Sequence, residues 1–91
     1  MKIITINCRN IMTETQFWRC YLQFADVDGA EYFGRNLDAF SDALQGGPGW
    51  PGECELHFTE TGHIRLWQQG HFYQALKDIA LRSSSIRVVV E

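Results

Sequence analysis

Asp38 and Asp42 are the two side chains whose type and spacing most invite a chemical reading of this chain. Paired carboxylates can move protons at a scissile bond, or they can meet cations. Which of these applies depends on the surface that carries them. They lie four residues apart in Leu37-Asp38-Ala39-Phe40-Ser41-Asp42-Ala43-Leu44, where Leu37, Phe40 and Leu44 recur at helical spacing. At roughly 100° per residue both acids fall almost opposite that apolar stripe. A retaining glycosidase needs carboxyls about 5–5.5 Å apart, but also a cleft that desolvates one of them and raises its pKa. Two acids on the outer face of one helix make no cleft, so acid–base catalysis is not expected.

The placement is also poor for the helix itself. Like charges four apart cost about 0.2–0.5 kcal/mol. Asp38 sits in the first turn, where the helix dipole favours an anion, but Asp42 sits near the last, where it favours a cation. No Lys or Arg lies three or four residues from Asp42 within the helix. An unfavourable acid pair facing solvent points to binding something positive.

Other combinations are weaker. Cys54 and His57 have the C-x₂-H spacing of a zinc half-site, with His63 and His71 further on. Cys54–Thr59, however, alternates apolar and polar residues as a strand does, which sends Cys54 and His57 to opposite faces. No dinucleotide fingerprint, Walker loop or nucleophile elbow occurs, and the glycine-rich stretch 46–52 lacks the lysine of a phosphate loop. No metal, cofactor or enzymatic activity is expected. A binding surface needs aromatics beside its charges, and Tyr32, Phe33 and Trp50 flank the acidic helix. Phe33 reads as core, whereas Tyr32 and Trp50 each carry a polar atom that tolerates partial exposure. The simplest role for Asp78 is an i,i+4 ion pair with Arg82.

The elements that must position these residues follow from periodicity and punctuation. Asn36 is placed to cap a helix of about 37–45, and Gly46 to end it in a left-handed conformation. Residues 3–8 are β-branched and read as a strand with both faces partly covered. Thr13 with Gln16 opens a helix whose stripe is Phe17, Tyr21 and Phe24, flanked by Cys20 and Ala25. Asp26-Val27-Asp28-Gly29 ends it. The stretch 46–52 is a loop carrying Trp50, Cys54–Thr59 is the second strand, and 60–70 reads equally as an extended piece or a helical turn. His71–Arg82 is a helix with Phe72, Leu76 and Ile79 on one face, stopped by Ser83-Ser84-Ser85, and 86–90 is the third strand. Helices between strands predict an α/β fold, a small three-stranded, mostly parallel sheet packed with three or four helices.

Composition bounds the rest. With 91 residues the chain reads as one domain, 1–91. Its 45% hydrophobic and 13% aromatic content exclude a disordered polymer. The net charge of −3 argues against nucleic-acid binding, which depends on Lys and Arg neutralising phosphates. Three cysteines, Cys8, Cys20 and Cys54, form no even secreted pattern and suit a reducing compartment. The N-terminus lacks a signal-peptide pattern, and no run approaches the ~20 apolar residues of a membrane span. A cytoplasmic protein, with no membrane association, is expected.

The stretch Tyr32-Phe33-Gly34-Arg35-Asn36-Leu37-Asp38-Ala39-Phe40-Ser41-Asp42-Ala43-Leu44 resembles the barstar family of intracellular ribonuclease inhibitors. The family pattern there is Tyr-aromatic-Gly-x-Asn-Leu-Asp-Ala-x-x-Asp-x-Leu, and weaker similarity extends over nearly the whole chain. The resemblance implies a three-stranded parallel sheet with helices, and a protein that plugs the active site of a basic ribonuclease. It implies that Asp42 enters the nuclease's phosphate site, with Asp38 beside it and Tyr32 packed on the catalytic histidine. Gly46 and Asp78 match further contact positions. The chain departs from the family's type protein at Ser41, where that protein has a tryptophan, and at Arg35, where it has a glutamate. Trp50 offers an aromatic near the lost one. The function so implied is 1:1 inhibition of a bacterial ribonuclease toxin by a protein that is monomeric when free. The alternative is a module of the same fold whose partner is not a ribonuclease.

Overall fold

The β-branched and alternating segments do extend and pair. In the computed structural model, which describes residues 2–91, β1 (Lys2–Asn7), β2 (Cys54–Thr59) and β3 (Arg87–Val90) form one sheet in the order β1-β2-β3. Both pairings are parallel, so the sheet is wholly rather than mostly parallel. Met1, the first residue of the expected domain, lies outside the described residues.

The register sorts side chains into two faces. Ile4, Leu56 and Val88 share one row and Ile6, Phe58 and Val90 the next, and this face carries the core. On the other face Ile3 aligns with Glu55 and Arg87, and Thr5 with His57 and Val89. There Ile3 is 60% exposed, so β1 is covered on one face only and the expectation of cover on both is corrected. The strand order gives the reason. Two right-handed crossovers stepping in the same direction across a sheet lay their helices on the same face.

Those helices are α1 (Glu14–Phe24) and α3 (His71–Arg82), with the shorter α2 (Leu37–Ala43) between them in sequence. The α1 cap is as expected: Thr13 Oγ1 accepts the Gln16 N–H at 3.1 Å, and Gln16 Oε1 accepts the Met12 N–H at 2.8 Å. Its buried side is not quite as expected. Phe17, Trp18, Tyr21 and Ala25 are buried, while Phe24 is 55% exposed. At about 100° per residue those four span an arc of about 100°, and Phe24 falls outside it. The helix α3 buries Phe72, Leu76 and Ile79.

Residues 60–70 combine both expected forms. A 3-10 segment, Ile64–Gly70, is broken at Trp67, whose ψ of 138° is extended, and Gln68 and Gln69 then turn left-handed. The third strand starts at Arg87, one residue later than expected, with Ile86 buried just before it. Aromatic rings fill the space under the sheet. Phe17 stacks on Phe58 at 5.3 Å, and Phe40 of α2 meets Trp18 at 5.5 Å, Tyr21 at 5.1 Å and Phe58 at 6.1 Å. Phe40 thereby ties the acidic helix to α1 and the central strand. Among the described residues no helix is long and apolar enough to cross a membrane.

Candidate functional site

The acidic helix is short and fixed at both ends. Asn36 Oδ1 accepts the Ala39 N–H at 2.7 Å, satisfying one of the free donors of the first turn. The far end closes in a Schellman arrangement: the Gly47 N–H reaches the Asp42 carbonyl at 3.0 Å and the Gly46 N–H reaches that of Ala43 at 3.1 Å. Gly46 has φ of +102°, the left-handed residue that this turn requires. Regular helix therefore stops at Ala43 rather than 45, and Leu44 and Gln45 belong to the turn.

Phe40, Ala43 and Leu44 are buried, and Leu37 is only partly so. Asp38 and Asp42 are both exposed on the opposite side. Among the described residues the ionic contacts are His57 with Glu55 at 2.7 Å and Arg87 with Glu55 at 3.7 Å, both on the open face of the sheet. Neither Asp38 nor Asp42 has a basic partner within the described chain. Arg35, three residues before Asp38, stands exposed with φ of +55° and is not drawn to it. The pair is thus free to meet an external cation.

The flanking aromatics divide between core and surface. Tyr32 ends a 3-10 turn, Ala30–Tyr32, and is 75% exposed. Phe33, its neighbour, is buried, with ring contacts of 5.7 Å to both Trp18 and Tyr21. One residue anchors the segment while the next is displayed. Trp50 is half-buried against the core, and its backbone pairs with Asp28: the Asp28 N–H donates to the Trp50 carbonyl at 3.0 Å. The Gly49 N–H donates to the Asp28 carbonyl at 2.7 Å, and the Tyr21 hydroxyl donates to the Gly49 carbonyl at 2.7 Å. Burial pushes the Tyr21 phenol above its ordinary pKa, which keeps that donor protonated. The glycine-rich loop is therefore stitched to α1 and to the turn before Tyr32. Sequence reasoning assigned Tyr21 to the core and missed this bond; a tyrosine in a buried helical stripe is the signal, since its hydroxyl needs a partner.

Asp78 is half-buried on α3, and the expected pair with Arg82 does not form. The Gln74 side-chain amide donates to it at 3.0 Å instead, one turn earlier on the same helix. Ser41 lies between the acids in sequence but on another side of α2. It lines a cleft with Leu44, Gln45, Ile79, Arg82 and the serines that follow α3. Sequence reasoning took those serines only as a helix stop. The zinc spacing is split as expected: Cys54 is buried in the core, and His57 lies on the opposite face of β2 against Glu55.

A protein-family model described as Barstar (barnase inhibitor) matches residues 1–86 of the 91. A comparison with curated proteins gave no match.

Proposed function

The chain belongs to the barstar (barnase inhibitor) family, and on that premise we propose that it is a cytoplasmic 1:1 inhibitor of a basic bacterial ribonuclease toxin. The observation that carries this reading is the unpaired acid pair on a helix fixed at both ends. In this reading Asp42 enters the nuclease's phosphate-binding site and Asp38 lies beside it. Carboxylates there replace the phosphates of RNA, and arginines pair with them bidentately through charge-assisted hydrogen bonds. Rigidity matters because a helix backbone already fixed at both ends loses little entropy on binding. Tyr32 supplies a ring against the catalytic histidine, Gly46 lets the backbone approach closely, and Trp50 and Asp78 extend the contact on either side. The chain acts by occlusion, needs no cofactor and performs no chemistry of its own.

The test is a mixing assay of the purified protein against a panel of bacterial ribonucleases, read as RNA cleavage. Stoichiometric loss of activity for at least one basic member is expected. A panel left fully active would refute the reading. Arg35 favours a second reading, because a cation beside the acids would repel a basic enzyme. There the partner is another toxin or a regulatory protein, and capture of that partner, rather than a nuclease, would distinguish it.

A further inference from the structure

The strand order leaves β1 at an edge of the sheet, paired with β2 alone. Which of its peptide groups point off that edge follows from the ladder. The Cys8 N–H, just past the strand, donates to the Thr59 carbonyl at 2.8 Å. Backbone polar groups alternate sides along a strand, so Ile4 and Ile6 also turn theirs to β2, and Ile3, Thr5 and Asn7 turn theirs outward. All three of these residues are exposed, and among the described residues no turn or loop backbone group bonds to them. Sheets blunt such an edge with a short strand, a proline, a bulge or charges. The far edge, β3, is four residues long, whereas β1 runs for six in unbroken register, with no proline and with Lys2 at its start as its one charge.

Pattern and charge together select the occupant of this edge. A basic partner, such as the one proposed for the acid pair, would meet Lys2 and no carboxylate on β1. A second copy of β1 fits instead, antiparallel across a two-fold axis through Thr5 and perpendicular to the sheet. In that register Ile3 faces Asn7 of the second copy and Thr5 faces its own counterpart, each pair exchanging both backbone bonds. Ile4 then faces Ile6 on the core side, and Lys2 falls opposite Cys8, so no like charges oppose each other. The same patch serves both copies, so the association closes at a dimer. The acidic helix α2 stands beside α3, which leads into β3 at the far edge, and is left open in both copies.

We propose that the free chain pairs through β1 into a two-fold dimer with one continuous sheet, in place of the monomer expected from the sequence. The proposal does not rest on the inhibitor reading. Sedimentation equilibrium of the full chain from about 10 μM to about 1 mM should show the mass rise from 10.5 kDa toward twice that value. In amide exchange the Thr5 N–H should be slow at the higher concentration and fast at the lower, while those of Ile4 and Ile6 should be slow at both. Thr5→Pro removes an outward N–H that β2 does not use, and should abolish association while keeping the fold. Thr5→Lys sets like charges directly opposite on an exposed face and should weaken association about five-fold; it keeps the test decisive should the proline disturb the strand. A mass fixed at 10.5 kDa throughout, a dimer whose Thr5 N–H exchanges as fast as the monomer's, or a Thr5→Lys variant that associates unchanged would each overturn the proposal. A monomer whose Thr5 N–H becomes protected only when another protein is added would overturn it in favour of a strand from that protein.

Discussion

Replacing Asp42 by alanine should move stability and inhibition in opposite directions. The Asp42 side chain makes no ion pair, and its carbonyl accepts the N–H groups of Gln45 at 3.0 Å and Gly47 at 3.0 Å where the helix closes. Alanine keeps both. It removes repulsion from Asp38 one turn away, about 0.2–0.5 kcal/mol, and an anion at the negative end of the helix, about 0.3 kcal/mol for so short a dipole. It also replaces a poor helix former by the best, a few tenths of a kcal/mol. The fold should therefore gain about 1 kcal/mol at low salt, a rise of about 4–8 °C in Tm for a chain of this size. Inhibition should weaken by at least about 2 kcal/mol, or about thirty-fold, the scale of an interface hot spot. That scale was drawn in part from barstar itself, so it is borrowed rather than independent. Thermal unfolding and a titration against an inhibited ribonuclease measure the two quantities. A lower Tm would refute the electrostatic account of the helix, and unchanged inhibition would refute its role as the plug.

Other expectations concern association, the loop, the cap and the core. Raising ionic strength should slow association with the nuclease more than it speeds release, because opposite charges steer the encounter; stopped-flow rates at two salt concentrations check it. Gly49→Ala should cost about 2–4 kcal/mol in urea unfolding, since φ is +93° and the new Cβ would lie 2.5 Å from Phe33 Cδ1. Gly46→Ala, with φ of +102° but nothing within 4 Å, should cost only about 1 kcal/mol. Asn36→Ala should cost about 1 kcal/mol and speed amide exchange at Ala39, whose N–H the side chain now holds. Burial pushes the Cys8 thiol from 9.0 up to about 12. The unfolded chain thus loses this proton first, and stability should fall as pH rises from about 9 toward 12. Cys8→Ala should flatten that decline, as read from urea midpoints at neutral and alkaline pH.

Much of this architecture can be traced to short-range signals. The caps at Thr13, Asn36 and Gly46 are local contacts between a side chain or a permissive backbone and the turn beside it, so three residues' worth of sequence suffices to place them. The alternation in Cys54–Thr59 and the stripe of Phe72, Leu76 and Ile79 reflect periods of the elements themselves. Errors arose where a choice depended on what lies opposite. Phe24 and Trp18 both look apolar on a helix, and only the position of the sheet and of Phe33, Phe40 and Phe72 favours Trp18. Asp78 has two possible partners, Gln74 and Arg82, one turn to either side. In the folded chain the Gln74 amide takes it, while Arg82 lines the cleft beside Ser41.

The acid pair shows the same division. Its exposure, its spacing and its conflict with the helix dipole are expectations carried by eight consecutive residues, and they point toward binding rather than acid–base chemistry before any fold is known. Its isolation from every described cation is not such a property, because Arg65, Lys77 and Arg82 become near or distant only when the chain closes on itself. The open sheet face follows from the direction in which two crossovers step, which no residue encodes alone. The cleft beside Ser41 likewise exists because α2 and α3, whose last residues Ala43 and Arg82 are 39 apart in sequence, end side by side. Periodicity and caps act within a turn or two of chain and can be read along it; clefts, ion-pair partners and covered faces are made by residues that only folding brings together.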